Sequence, residues 1–232
     1  MVVCSIFKEK EVLRFFDIFF SLIAIIVLLP FMIPIMILLK LTGEHDIFYA
    51  QPRIGKGGKV FNILKFATML KDSPNLPGGL FTQENDPRML PMGPFLRKTK
   101  INELPQLINI LIGQMSIIGY RPEVESQFSL YPEENKKILE KTTPGLSGIG
   151  SIVFRDEEEI RLKADDEEHN FYHYVISPYK SDLECWYVEN KSVGLYFKLI
   201  WLTAVAVIAP GKCNWKKLKG IPEVPEKLKE YL

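Results

Sequence analysis

From Ile18 to Leu39 the chain runs 22 residues without a charged side chain, and no other stretch restricts its fold as much. A helix of that length and purity is long enough to cross a bilayer and exceeds what a small soluble core needs. A secretory leader is disfavoured, because the run is too long and no small-residue cleavage site follows it. Pro30 and Pro34 stand inside the run, and each removes a backbone donor and disfavours straight helix. Lys8, Lys10 and Arg14 precede it; Lys40, Arg53, Lys56, Lys59 and Lys65 follow. A one-sided excess would fix a spanning orientation. Basic flanks on both sides favour a broken, re-entrant helix that enters and leaves by the cytoplasmic face, with the freed carbonyls satisfied locally.

The rest of the chain has mixed charge, which predicts a cytoplasmic domain held on a membrane. A net charge of +1 supplies no field to steer the protein to nucleic acid. Cys4, Cys185 and Cys213 are far apart and odd in number, which fits a reducing compartment and speaks against a disulfide framework or a zinc site. His169 and His173 are four apart, as two metal ligands on a helix would be. A solvated polar face beside Asp165 to Glu168 is the preferred reading.

The stretch Phe95 to Pro122, FLRKTKINELPQLINILIGQMSIIGYRP, places one acid, Glu103, among Arg97, Lys98, Lys100 and Arg121. Asn102-Glu103 sits where a helix should begin, with Pro105 tolerated in its first turn. Leu104, Leu107, Ile108 and Leu111 form an apolar stripe, and Gly113 can end the helix. Spacing alone allows either a capped core helix or a phosphate site at a helix N-terminus, where N–H groups and cations favour anions.

Around this stretch, Asp46 to Met69 reads as a β-hairpin about a glycine-rich turn, with Lys65 at the end of its second strand. Lys71 to Pro94 is a loop, and Arg88 to Thr99 begins to turn helical. Glu123 to Lys141 reads as a charged helix. Thr142 to Gly150 is a small-residue loop that a ligand could approach closely, and Ser151 to Phe154 a short strand. An acidic helix start at Arg155 to Glu159 and a helix over Asp182 to Asn190 follow. Leu195 to Ile208, short for a spanning helix, suits the core or the membrane interface. The tail from Gly211 is expected to be peripheral.

The hydrophobic N-terminus with its mid-run proline, then PRIGKGGKVFNILKFATM, KTKINELPQLINILIGQMSIIGYRP, TPGLSGIG and YVENKS, resembles the bacterial sugar transferases, or monotopic phosphoglycosyl transferases. The order and spacing of the blocks match over roughly residues 10 to 208. The resemblance implies a mainly α fold with a small β-hairpin or sheet. It also implies a re-entrant helix broken at Pro30, plus interfacial amphipathic helices. The implied division is a membrane helix over 1–42, a catalytic domain over 43–210 and a tail over 211–232. The implied reaction moves a sugar-1-phosphate from a UDP-sugar to polyprenyl (undecaprenyl) phosphate at the cytoplasmic face of the bacterial inner membrane. UMP leaves, and glycan synthesis (capsule, exopolysaccharide or O-antigen) begins. The implied partners are these two substrates and membrane lipid; a homo-oligomer is compatible with it.

Family members use Mg²⁺ and an Asp-Glu pair whose Asp attacks the donor phosphate. Here the pair is Asn102-Glu103, and a neutral amide is a very poor phosphoryl acceptor and a weak metal ligand. Three outcomes follow. Glu103 attacks or binds the metal while the lipid phosphate attacks directly; another acid, such as Asp86, Asp156 or Glu157, enters the site; or activity is lost and a membrane-bound scaffold remains. The intact surrounding blocks favour an active enzyme. Arg121 matches the family's phosphate- or nucleotide-binding arginine, with Lys65 and Arg155 as further contacts. Milder departures are GYRP for GPRP, IGQMS for KGDMS at Ile112 and Gln114, Ala67 after Lys65-Phe66, and Glu184 for an Asp before YVEN.

Overall fold

The computed structural model describes residues 2–77, 79, 86–164 and 170–232, with side chains from residue 9. His169 of the His169/His173 pair, and Asp165 to Glu168 beside it, lie outside the described residues. Among the described residues, helix predominates and strands are few and short.

Helix α1, Val2–Leu41, continues through Pro30 and Pro34, so the expected break at Pro30 does not interrupt the secondary structure. A proline removes one donor from a helix, and the neighbouring turns can keep their bonds. Only a narrow strip of α1 is buried, including Leu13, Asp17, Ser21, Met32 and Leu39. The opposite face exposes Phe15, Phe19, Ile26, Val27, Phe31 and Leu41. A helix that is apolar on its uncovered side fits a membrane anchor. Two polar contacts fix its register. The Asp17 carboxylate accepts hydrogen bonds from Ser116 Oγ (2.9 Å), Ile117 N (2.8 Å) and Tyr196 Oη (2.8 Å). Arg14 donates to the carbonyls of Ile110 and Leu111, which satisfies the last turn of the helix described next.

Strands β1, Phe48–Ile54, and β2, Val60–Phe66, form the expected antiparallel hairpin, with Tyr49 opposite Lys65 and Arg53 opposite Phe61. Its turn uses Gly57 and Gly58 at positive φ. Helix α2, Gly93–Lys98, a 3₁₀ turn, Ile101–Glu103, and helix α3, Gln106–Leu111, then carry the central stretch. Gly113 at φ +88° ends it as expected. The apolar stripe is shifted from the expected one. Leu107 and Ile110 are buried while Ile108 is exposed, because a 3₁₀ turn and then Pro105 restart the helix.

Strands β3, Ser116–Ile118, and β4, Gly145–Ser147, pair in parallel. The glycines of the small-residue loop are needed for this approach. A Cβ on Gly145 would lie 2.0 Å from Gly119 N, and one on Gly148 2.0 Å from Gly119 O. The chain's own backbone therefore fills the space at Gly145 and Gly148, while Leu146, Ser147 and Gly150 of the same loop border the cavity described below. The charged helix over Glu123 to Lys141 is two, α4 (Glu125–Phe128) and α5 (Glu133–Leu139), because Pro132 cannot continue a helix. The short strand expected over Ser151 to Phe154 is instead helix α6, Ile149–Val153, whose Ile149, Ile152 and Val153 are all buried. A short apolar run does not by itself distinguish strand from helix.

Helices α7, Glu157–Lys163, α8, Ser177–Glu189, and α9, Val193–Ile208, complete the domain. α9 is both core and surface: Tyr196, Leu199, Leu202 and Ala206 are buried, while Trp201, Val207 and Ile208 are exposed. The C-terminal tail is packed more closely than expected. Trp215, Leu218 and Leu228 are buried in the main core with Ile149, Tyr172 and Leu199.

Candidate active site

The 3₁₀ turn with Asn102-Glu103, the end of β2, the Tyr120-Arg121 segment and the α6–α7 junction border one cavity of about 640 Å³. Its described lining holds nine Lys or Arg side chains against four Glu, so it favours a polyanion. Glu103, Asn102, Arg121, Lys65 and Arg155 all line it. Sequence positions as far apart as 65 and 155 thus meet at one place.

Local structure aims the pair. Lys100 adopts φ +60°, a left-handed conformation unusual for a lysine, and the 3₁₀ turn starts directly after it. Asn102 lies inside this turn, and Pro105, not Asn102, stands at the N-cap of α3. Asn102 is buried, and its amide oxygen has no hydrogen-bond partner. Glu103 Oε1 accepts from Arg121 Nη2 at 3.2 Å. Burial alone would push the Glu103 carboxyl up, but Arg121, Lys65 and Lys100 outweigh it and hold the pKa at about 2. Arg121 is raised in turn, chiefly by Glu103. Lys65 is pushed well below its ordinary value by burial and by Arg53, with Glu103 opposing. Lys65 Nζ and Arg53 Nη2 both donate to Gln51 Oε1, at 3.1 and 2.8 Å.

Behind this layer lies an ion network that sequence spacing did not reveal. Glu123 pairs with Arg53 at 3.2 Å and with Lys180 at 2.8 Å, and Lys180 also pairs with Glu157 at 2.9 Å. Burial would raise the Glu123 carboxyl; Lys180, Arg53 and Arg121 lower it to about 2. The members come from positions 53, 123, 157 and 180, so no local motif marks them. Of the three further acids considered for the site, one reaches the cavity. Asp86 is buried and bonded to Arg88, Glu157 lines the cavity tied to Lys180, and Asp156 is exposed and outside the lining.

Arg121 is held from behind by Glu184. The Glu184 Oε1 accepts from the Arg121 backbone N–H at 3.1 Å, whereas Oε2 has no hydrogen-bond partner. Burial pushes this carboxyl up to about 7, against the Arg121 N–H and Lys180. On the far side, Ile200, Thr203, Ala206 and Val207 of α9 complete the lining. The charged cavity therefore reaches the helix that carries the exposed Trp201 and Ile208.

The sequence matches the bacterial sugar transferase family over residues 8–210. It is 32% identical to the exopolysaccharide production protein PSS of Rhizobium leguminosarum bv. phaseoli, covering 86% of this chain and 96% of that one. It is 35% identical over 69% of its length to the UDP-N-acetylgalactosamine-undecaprenyl-phosphate N-acetylgalactosaminephosphotransferase of Aeromonas hydrophila. It is 29% identical over 84% to the undecaprenyl-phosphate galactose phosphotransferase of Salmonella typhimurium. The aligned part spans 38% and 40% of those last two proteins. The family match takes in both strand pairs, all but the start of α1 and every described residue of the cation-lined cavity, and the chain belongs to the bacterial sugar transferase family.

Proposed function

We propose that this protein transfers a sugar-1-phosphate from a UDP-sugar to polyprenyl (undecaprenyl) phosphate at the cytoplasmic face of the bacterial inner membrane, releasing UMP and starting a glycan. The observation that carries this reading is the cavity, rich in Lys and Arg around Glu103 and walled on one side by α9. Phosphoryl transfer is served mainly by positioning and by neutralising charge on phosphate oxygens. Arg121, Lys65 and Arg155 supply that charge, and the exposed apolar surface of α9 lets a lipid-borne phosphate enter from the bilayer. Relatives named for undecaprenyl-phosphate sugar phosphotransfer support the same acceptor.

Magnesium fits the donor set. Glu103 offers an ionised carboxylate and Asn102 a buried amide oxygen without a partner. Mg²⁺ is commonly held by one or two carboxylates, with water and substrate phosphates completing its shell. When bound, it would neutralise charge on the diphosphate.

The anchor helix is best read as re-entrant. Arg14 and Asp17 near its start, and Met32 and Leu39 towards its end, pack on the same domain. A spanning helix would carry its two ends to opposite faces of about 30 Å of hydrocarbon. Pro30 and Pro34 are the points where its axis would bend. Cysteines introduced at Glu9 and His45 are expected to label from the same, cytoplasmic side; labelling from opposite sides would exclude the re-entrant form.

The reaction is tested with purified protein in nanodiscs. UMP release should require polyprenyl phosphate, Mg²⁺ and a matching UDP-sugar together. Glu103→Gln should slow it by ~10²-fold or more. No release across a broad UDP-sugar panel, with an active relative as control, would sink the proposal.

A further inference from the structure

We infer that transfer in this protein is a single displacement, in which the acceptor phosphate attacks the donor directly and no phosphosugar-enzyme intermediate forms. This rests on the function proposed above. Its ground is the chemistry of the groups in the cavity that could take up the phosphoryl group.

No Asp, Cys or His is among the described lining residues. The side chain beside Glu103 is an amide, Asn102, whose oxygen can accept a hydrogen bond but would not form a lasting phosphate ester. The four lining carboxylates are poor candidates for separate reasons. Glu103 is bonded to Arg121, and Glu123 is ion-paired with Arg53 and Lys180. Glu157 is ion-paired with Lys180. A carboxylate stabilised by buried cations gives up that stabilisation when it attacks. Glu158 is exposed, where a mixed anhydride would be open to hydrolysis. The hydroxyls need an adjacent base. Ser147 Oγ is bonded to Thr203 Oγ1 at 2.8 Å, and Thr99 Oγ1 donates to the Phe95 carbonyl. Neither has a carboxylate or imidazole partner among the described residues.

The acceptor, by contrast, brings a nucleophile that needs no activation. A phosphate monoester has a second pKa near 6 and is mostly a dianion at neutral pH. A loose phosphoryl-transfer transition state demands little nucleophilic push but strong charge neutralisation, which this cavity provides. One acceptor oxygen bonds to the phosphorus that carries the sugar. The bond from that phosphorus to the bridging oxygen breaks, and its electron pair leaves with UMP. The two substrates and the two products carry equal total charge, so no proton has to move. Asn102 and Glu103 then bind and orient the donor diphosphate without becoming covalently modified.

Isotope exchange separates the routes. Labelled UMP is incubated with full-length protein in nanodiscs, UDP-sugar and Mg²⁺, without acceptor. A covalent intermediate would return the label to UDP-sugar; a single displacement gives no exchange above the enzyme-free control. In the complete mixture UMP must still be released, and varying both substrates should give intersecting rather than parallel double-reciprocal lines. Asn102→Asp, which introduces a carboxylate at the same position, is expected to gain exchange and a phosphosugar mass adduct. Wild-type exchange at a rate comparable with transfer, or an adduct on Glu103, would overturn the single displacement while leaving the transferase reading intact. Absence of UMP release in the complete mixture would overturn both.

Discussion

Glu103 and Glu184 are both sheltered carboxylates, and their surroundings drive them in opposite directions. Glu103 faces Arg121, Lys65 and Lys100 and is held ionised, at about 2. Glu184 is fully enclosed, packs against Gly150, accepts a hydrogen bond from the Arg121 backbone N–H and rises to about 7. Burial penalises the charge in each; the count of nearby cations decides which form survives. One residue joins the two sites, since the Arg121 side chain serves Glu103 and its backbone N–H serves Glu184. The candidate site is thus charged where it lines the cavity and close to neutral where it meets its own backbone.

The comparison is broken most strongly at Arg121. Arg121→Ala removes the guanidinium but keeps the N–H, so Glu184 retains its partner. We expect kcat/KM for UMP release to fall by ~10²- to 10³-fold, equivalent to about 3–4 kcal/mol, with the melting temperature little changed. The Glu103 carboxyl also loses its main opposing cation, so any acid limb it sets in the pH–rate profile moves to higher pH. An unchanged rate would mean that the Glu103–Arg121 pair is structural.

Glu184 gives the next effect, and it lies in stability. Its folded-state pKa of about 7 is above the ordinary 4.5, so the folded protein binds the extra proton between those values. Stability therefore falls as pH rises through that window, by about 3 kcal/mol in order of magnitude. Glu184→Gln should flatten chemical denaturation midpoints between pH 5 and 7 while leaving a backbone acceptor in place. An equally steep pH dependence in the variant would remove Glu184 as its source.

The smallest effect is expected at Gly150. A Cβ there would lie 2.4 Å from Glu184 Oε1, too close without movement. Gly150→Ala should destabilise by about 1–3 kcal/mol, read from urea denaturation, and the Gly150→Ala/Glu184→Gln double variant should be non-additive because the two groups touch. Additive losses would mean that the loop accommodates the methyl group by moving away.

Much of this was legible before the fold was known. The glycine-rich turn between apolar residues marked the hairpin, and the charge-free run marked the long apolar helix, because both signals are compositional and act locally. Glu103 was legible as a candidate from its place at a helix start among cations, and Arg121 from the linked motif blocks; the fold brings both to the cavity with Lys65 and Arg155. Helix α6 was misread because five apolar and small residues carry no decisive period. The buried strip on α3 was misread because the 3₁₀ turn shifts the phase of the helix after it. The Glu123–Arg53–Lys180 network left no trace in the chain order at all.

Sequence alone was enough to establish a long apolar helix ahead of a mixed-charge domain, and an amide, Asn102, beside the acid Glu103. Those are statements about covalent identity and local pattern. Only the folded chain showed that Glu157 borders the cavity while Asp156 does not, that nine Lys or Arg side chains are among the described lining, and that two sheltered glutamates are shifted in opposite directions. Charge state and nucleophilicity depend on burial and on neighbours distant in sequence. These are brought together by packing α6, α8 and the hairpin around Arg121, and no local pattern encodes that distance.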